Sequence, residues 1–472
     1  MKISHPLLRC LFAIGVLVCF LSPLRAADSK PNVVIFHGDD LRSDALGALG
    51  NSIVQSPNLD RLIKDGFLFR RAYTMGSMVG AVCLPSRTML LTGQSLFRAK
   101  NEASHSSPDG LTFPKAMKAA GYATIHAGKF GNSPKAVTSE FDETYDPGRA
   151  ANVADKITDF IGRQAGKAPL FVYMAAAEPH DPQFATQEFY DLYKPADLPL
   201  PKTFAPFHPF DNGEMTVRDE KTLPWPRTRE NVTKKLARYY ASISYWDAHV
   251  GRVIQSLKDA GQYDNTIFVV SADNGLSLGQ HGLLGKQNLY EFGGMHVPLV
   301  FSGKGIPRGE SHALAYLMDM FPTVCELTGS TTPGRVEGQS LAPVIRGSKA
   351  AVRDVLFTAY RNGQRAVTDG RWKLIRYPLI DKTQLFDLQN DPFEERDQSS
   401  QPPQETRLGE LMSVLAAQQK HWGDPHPLTV ENPAPAEWSP KKLTAKDVEQ
   451  QEAETADSSG EKEPAGRKAN RR

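Results

Sequence analysis

Pro31-Asn32-Val33-Val34-Ile35-Phe36-His37-Gly38-Asp39-Asp40 is the stretch that decides the fold. Its apolar run, rich in β-branched residues, predicts a buried strand that delivers two adjacent carboxylates at its carboxyl end. Three further runs repeat the pattern. Thr266-Ile267-Phe268-Val269-Val270-Ser271 ends in Ala272-Asp273-Asn274-Gly275, and Tyr122-Ala123-Thr124-Ile125-His126-Ala127 leads into Gly128-Lys129. Pro169-Leu170-Phe171-Val172-Tyr173-Met174 passes through small residues into Glu178-Pro179-His180-Asp181. A single ending of this kind is explained by turn chemistry, which draws on Asp, Asn and Gly. Together they point to a common site, because ligands of open α/β sheets bind outside the carboxyl ends of the strands.

Asp39 beside Asp40 is an unfavourable pair unless a cation or strong donors neutralise it. Asp273 and Asn274 supply further oxygen. Oxygen ligands without a cysteine or histidine cluster suit one hard divalent cation, most simply calcium, with magnesium as the competitor.

Cys83-Leu84-Pro85-Ser86-Arg87, followed by Thr88-Met89-Leu90-Leu91-Thr92-Gly93, adds a nucleophile. It resembles the Cys-x-Pro-Ser-Arg maturation signature of the type I sulfatases of the alkaline phosphatase superfamily, in which a formylglycine-generating enzyme oxidises the cysteine to an aldehyde. The aldehyde works as its hydrate: one hydroxyl attacks sulfur and the other expels sulfate as the carbonyl re-forms. The resemblance extends from residue 31 to about 397. It takes in Gly128-Lys129, Ala177-Glu178-Pro179-His180-Asp181-Pro182, Gly279-Gln280-His281-Gly282, Gly285-Lys286-Gln287-Asn288-Leu289-Tyr290-Glu291 and Gln384-Leu385-Phe386-Asp387-Leu388-Gln389-Asn390-Asp391-Pro392.

The resemblance implies that Asp39, Asp40, Asp273 and Asn274 hold the cation with the matured Cys83 side chain beside them. It implies that Arg87 holds the hydrate, that Lys129 and Lys286 bind sulfate oxygens, that His180 protonates the departing alcohol, and that His281 is a further substrate contact. Cations around a compact anion stabilise charge on its oxygens, and a histidine of ordinary pKa near 6.5 can donate at neutral pH. One position departs from the family pattern. Two residues after Lys129, where a histidine is common, stands Gly131, flanked by Phe130 and Asn132. His37, His126, His281 and Asn132 are the candidates to replace it, though a lone histidine is equally explained as a packing residue.

The 472 residues are 40% hydrophobic, enough for a large core, and a formal net charge of +2 gives no case for a nucleic-acid partner. Residues 1–26 read as an export signal: a basic start, an apolar stretch from Cys10 to Leu21 and a small-residue exit. The stretch is shorter than the ~20 residues of a membrane span, so no stable membrane insertion is expected. Val18 disfavours Cys19 as a lipid site, and the protein is expected in the periplasm or secreted. Once the signal is removed only Cys83 and Cys325 remain. Cys325, in an apolar helical pattern, reads as a buried packing residue.

Residues 27–346 are assigned to the catalytic domain and 347–423 to a smaller C-terminal subdomain, with 424–472, rich in Pro, Glu, Lys and Ser, expected to be disordered. A long amphipathic helix is predicted from Glu230 to Gly261, where Asn231-Val232-Thr233 matches a sequon but reads as a helix start. Asp181 to Arg229, rich in proline and carrying Phe207, Phe210 and Trp225, is expected to be an ordered loop forming a pocket rim. Strand-like pieces within 355–377, separated by Asn-Gly and Asp-Gly turns, predict hairpins, and Glu405 to His421 predicts a helix. The expected fold is α/β: a mixed, mostly parallel sheet flanked by helices, alkaline phosphatase-like, with a smaller antiparallel α+β subdomain. The expected reaction is hydrolysis of a sulfated small molecule or saccharide. A phosphodiesterase or phosphonate monoester hydrolase, and a catalytically silent glycan-binding homologue, are the alternatives.

Overall fold

The computed structural model describes residues 30–99, 112–130, 133–146 and 148–439. The expected export signal, Cys10, Cys19, Gly131, Asn132 and the tail beyond residue 439 lie outside the described residues.

In chain order the strands are β1 (Asn32–Gly38), β2 (Phe67–Tyr73), β3 (Gly76–Ser77), β4 (Ala123–Gly128), β5 (Glu143–Tyr145), β6 (Leu170–Ala175), β7 (Thr266–Ala272), β8 (His296–Val297), β9 (Leu299–Gly303), β10 (Gly309–Tyr316), β11 (Leu356–Tyr360), β12 (Gln364–Thr368), β13 (Trp372–Tyr377) and β14 (Lys382–Asp387). The larger sheet runs β10-β2-β9-β7-β1-β6-β4-β5 with β8 on β2. From β7 through β5 it is parallel; β9 is antiparallel to β7 and β2, and β10 is parallel to β2. The expected mixed, mostly parallel α/β sheet is therefore present. The four strands read from the sequence are neighbours in the order β7-β1-β6-β4, so their carboxyl ends open at one edge.

Both faces of this sheet are buried, which is why the strands read as continuous apolar runs instead of alternating ones. Val34, Phe36, Val172, Met174 and Val270 pack under the helices Ala150–Gln164 and Arg229–Asp259. Val33, Ile35, Phe171, Val269 and Leu90 pack on the other face with Phe321 and Cys325. Cys325 is a free buried thiol, as expected of a packing residue. The Arg229–Asp259 helix starts where Thr228 accepts a hydrogen bond from Asn231 N, the arrangement of an N-cap.

The smaller sheet runs β14-β13-β12-β11-β3. Strands β11 to β14 are antiparallel, as the turn signals predict, and the Glu405–Trp422 helix packs on β12 and β13. Strand β3 was not foreseen. It lies in the segment leading to Cys83 and pairs parallel with β11, so the C-terminal sheet grips the approach to the candidate nucleophile. Gly76 allows this: its φ is 121°, and a Cβ there would stand 1.8 Å from Ala359 O.

Two expectations need correction. Residues 424–439 carry packed contacts where disorder was expected. Asp424 pairs with the buried Arg365, Leu428 O accepts from Arg376, and Trp438 meets Trp225 edge to face at 5.3 Å. The compositional signal of disorder was outweighed by these few anchors. The loop 181–229 is ordered and its Pro199, Leu200, Pro201 and Lys202 line a cavity, as expected of a rim, but its aromatics take no part in that lining. Trp225 is buried beneath Trp438 and Arg227, and Phe210 packs on Tyr377; Phe207 alone of the three is exposed.

Candidate functional site

Strand β1 ends in Asp39, and the chain then turns through Asp40, whose φ of 64° lies in the left-handed region. Along an extended strand successive side chains point to opposite faces. The left-handed turn brings the second carboxylate back beside the first, and Asp is a residue type that tolerates it. Such strain is held by its surroundings: Asp40 N donates to Asp273 Oδ1 at 3.1 Å, and Asp40 O accepts from Tyr239 at 2.8 Å. From β7, Asp273 also receives Asn274 N at 2.8 Å, while Asn274 Nδ2 donates to Asp40 Oδ1 at 2.6 Å.

Cys83 opens the helix Cys83–Thr92 and is buried. Its Sγ lies 3.5 Å from Asp39 Oδ1 and 3.8 Å from Asp40 Oδ1. One turn along, Arg87 is completely buried, donating through Nη2 to Asp39 Oδ2 at 2.8 Å and through Nε to Asp273 Oδ2 at 2.9 Å. Lys129 follows β4 and reaches Asp39 Oδ2 at 2.9 Å. The turn before it needs Gly128, since φ is 123° and a Cβ would stand 2.0 Å from Ala175 O. Lys286 Nζ donates to Asp40 Oδ1 at 2.7 Å and to Cys83 Sγ at 3.2 Å. His180 Nε2 stands 3.6 Å from Asp40 Oδ2, and its Nδ1 is 3.1 Å from Asp181 Oδ1.

Nine of the ten residues singled out from the sequence thus meet at one sheet edge. His281 does not join them. Its ring stacks on Tyr290 at 4.1 Å, its carbonyl accepts from His208, and among the described residues no hydrogen bond or ion pair links it to the cluster. The Gly-rich turn that carries it packs against residues 203–208 of the long loop, a direction its spacing could not reveal. His37 and His126, offered as replacements for the missing histidine, are fully buried and flank Tyr173 at ring separations of 5.4 and 5.3 Å. Burial, with the Arg87 cation second, pushes His126 down to about 3 and His37 well below the ordinary range, so both are neutral.

Electrostatics divides the carboxylates. Burial works to raise Asp39, but Lys129 and Arg87 overcome it and hold its carboxyl well below the usual range. Burial and then Asp39 push Asp273 up. The Cys83 thiol is pushed far up, first by burial and then by Asp273 and Asp39. A nucleophilic cysteine needs an electropositive setting; this one, among three carboxylates, is a neutral thiol.

The donor set fits a hard cation. Asp40 Oδ2 and Asn274 Oδ1 are buried without a hydrogen-bond partner, each an acceptor that costs about 1–3 kcal/mol when left so. Ligand atoms of Asp39, Asp40, Cys83 and His180 lie within 4.8 Å of one another. A separate cavity of about 490 Å³, lined by Arg42, Tyr240, Phe292, His296 and Phe393 among others, includes none of the ten residues.

Sequence reasoning assigned no role to the polar layer behind the site. Glu220 accepts from the backbone N–H groups of Leu284 and Gly285, and Gln287 Nε2 donates to Asp219 Oδ2 at 2.8 Å, so the loop 181–229 fixes the segment that carries Lys286. Arg218 binds both Asp219 and Asp181. Adjacent acids in a proline-rich loop were the available signal.

The family model for sulfatases matches residues 31–330, and that for the C-terminal region of N-sulphoglucosamine sulphohydrolase matches 279–421. The chain is 26% identical to an ulvan-active sulfatase of Formosa agariphila, over 84% of this chain and 82% of that one. It is 24% identical to an N-acetylglucosamine-6-O-sulfatase of Bacteroides thetaiotaomicron, over 90% and 92%. A phosphonate monoester hydrolase from Silicibacter pomeroyi superposes with a TM-score of 0.69 at 23% identity, over 83% of this chain and 96% of that one, a likeness of fold.

Proposed function

The chain belongs to the sulfatase family and is a sulfuric ester hydrolase, and we propose that it desulfates a carbohydrate through a formylglycine made from Cys83, beside one divalent cation, calcium by preference. The observation that carries this reading is the placement of Cys83 Sγ against Asp39, Asp40 and Lys286, with Arg87 behind. The neutral, carboxylate-ringed thiol is poorly suited to act as itself and well placed to become a hydrate next to a cation. The saccharide character of the substrate is supported by the relatives active on ulvan and on N-acetylglucosamine-6-O-sulfate.

In this reading Asp39, Asp40, Asp273 and Asn274 hold the cation. When bound it supplies positive charge to the sulfate oxygens and to the nucleophile. Arg87 fixes Asp39 and Asp273 and orients the Cys83 side chain. Lys129 and Lys286 receive sulfate oxygens, where their charge opposes the negative charge gathering in the transition state. His180 gives its Nε2 proton to the leaving alcohol, with Asp181 fixing the ring through Nδ1. Residues 27–346 form the catalytic unit and 347–423 its C-terminal partner. The protein is exported, matured by a formylglycine-generating enzyme, and makes no stable membrane insertion; no described helix is long and apolar enough to cross a membrane.

The test is mass spectrometry of the peptide containing Cys83 after coexpression with a maturation enzyme, joined to a panel of sulfated saccharides, aryl sulfates and phosphonate monoesters. An aldehyde at Cys83 with sulfate ester turnover is expected. Phosphonate cleavage in preference to every sulfate ester would move the assignment to the phosphonate hydrolase alternative, and an unmodified, inactive protein would leave the glycan-binding one.

A further inference from the structure

We propose that Arg218 is a specificity-determining residue, reading a second anionic group, a carboxylate or a further sulfate, on the alcohol that the enzyme releases. The inference rests on the sulfatase reading above and names the substrate class within it.

Arg218 precedes the helical turn Asp219–Thr222 in the long loop after His180. Its Nε and Nη2 donate to Asp219 Oδ1 at 2.9 and 2.7 Å, and Nη2 also donates to Asp181 Oδ1 at 2.9 Å. The same Asp181 oxygen stands 3.1 Å from His180 Nδ1, and His180 Nε2 faces Asp40 at 3.6 Å. One carboxylate therefore separates Arg218 from the ring that addresses the leaving group. Lys129, Lys286 and Arg87 contact the carboxylates Asp39, Asp40 and Asp273, the cluster that the ring's Nε2 faces. Arg218 meets the ring through Asp181 at Nδ1, away from the Nε2 that faces Asp40, and is partly exposed there, so an alcohol extending outward past His180 would come within its reach.

Its committed edge is held by two acids. The opposite edge is not: Nη1 has no partner among the described residues, and the side chain is 42% exposed. A guanidinium fixed along one edge and open along the other is preorganised to bind a planar or tetrahedral anion. Lys286 and Arg87, by contrast, are buried against the site's carboxylates and have no exposed edge. Among the loop's conspicuous side chains Trp225 and Phe210 are buried and Phe207 is exposed, and Arg218 is the one joined through Asp181 to His180.

The experiment measures kcat/KM for matched pairs with the matured holoenzyme. One pair is a sulfated disaccharide with a uronate and its carboxyl-reduced form. The other is a saccharide with two sulfates and the same sugar with only the scissile one. Wild type is expected to prefer the dianion by about tenfold or more in at least one pair, as for a charge-assisted hydrogen bond. In Arg218→Gln the preference ratio falls towards one, and Arg218→Lys keeps part of it. A purely structural arginine would lower both members of a pair equally and leave the ratio unchanged. Loss of the ratio in the uronate pair alone assigns the carboxylate, and in the disulfated pair alone the second sulfate. A ratio unchanged in both variants, or no preference in wild type, overturns the proposal. Should Arg218→Gln not fold, Arg218→Lys gives the same reading. Absence of turnover on every sulfate ester, aryl sulfates included, removes the underlying reading and this proposal with it.

Discussion

Lys286 Nζ lies 2.7 Å from Asp40 Oδ1 and 3.2 Å from Cys83 Sγ, so one ammonium ties a candidate metal ligand to the candidate nucleophile. Burial works to lower its pKa, but Asp40 first, with Asp219 and Asp39, holds it well above the ordinary value. Asp40 would hold the proposed cation with the carboxylate that now accepts from Lys286, so the cation would supply positive charge where the lysine's charge is now committed. Charge at this point is shared, and removal of either partner changes both.

Chelation is accordingly expected to abolish hydrolysis and calcium to restore it. Asp40→Ala should lose about 10²-fold or more in kcat, the scale of removing one preorganised electrostatic group. Calcium should raise the melting temperature of the wild type and not of Asp40→Ala, because a ligand stabilises only the state that binds it. Two zinc ions per chain, or full activity after exhaustive chelation, would contradict the oxygen-ligand site.

Gly76 ties the C-terminal sheet to the approach to Cys83. Gly76→Ala puts a Cβ 1.8 Å from Ala359 O at a φ of 121°, so either β3 leaves β11 or the backbone strains. Strain of this kind costs about 1–3 kcal/mol. Urea unfolding should show that loss, and activity of the folded fraction should fall as well. Full activity per folded molecule would show that β3 does not help to place Cys83.

The strands and the nucleophile segment were legible because each is a local pattern: an apolar run with a polar end, or a pentapeptide with a chemical meaning. The convergence of β7, β1, β6 and β4 was legible too, from the rule for open sheets. Three features were not. The left-handed turn at Asp40 depends on hydrogen bonds from Asp273 and Tyr239, far away in sequence. The pairing of β3 joins two residues of the nucleophile segment to a strand almost 300 positions later. The Asp181, Arg218 and Asp219 chain is made of single residues without periodicity, in a loop whose aromatics drew attention to the wrong side chains.

Stability is expected to decline in acid for a reason visible in His126. Burial, then Arg87, lowers its folded pKa to about 3, below the ordinary 6.5 of the unfolded chain. The unfolded state therefore binds the proton first. The stability associated with a neutral His126 is complete above about pH 6.5 and is lost as pH falls towards 3. His281, down to about 3, and His208, down to about 4, both chiefly through burial, act in the same direction. Urea midpoints between pH 7 and 4 should fall in the wild type and fall less in His126→Phe, which retains ring packing on Tyr173. Parallel declines in the two proteins would show that His126 does not titrate across this window.

In the proposed reading His180 acts on the leaving group, with its Nδ1 engaged by Asp181 while Nε2 faces the carboxylate cluster. An alkoxide from a sugar leaves poorly without a proton, whereas an activated phenolate needs little help. His180→Ala should therefore lower kcat on a sugar sulfate by about 10²–10⁴-fold, the range of general acid catalysis, and lower it far less on an activated aryl sulfate. Trp225→Ala provides the comparison, since that ring packs under Trp438 and Arg227 and is expected to reduce stability without distinguishing the two substrates. Equal losses on both substrates in His180→Ala would assign the residue to binding or metal ligation. A loss confined to the sugar sulfate, unchanged by added calcium, would leave proton donation as its function, because a cation defect would impair both substrates and respond to the ion.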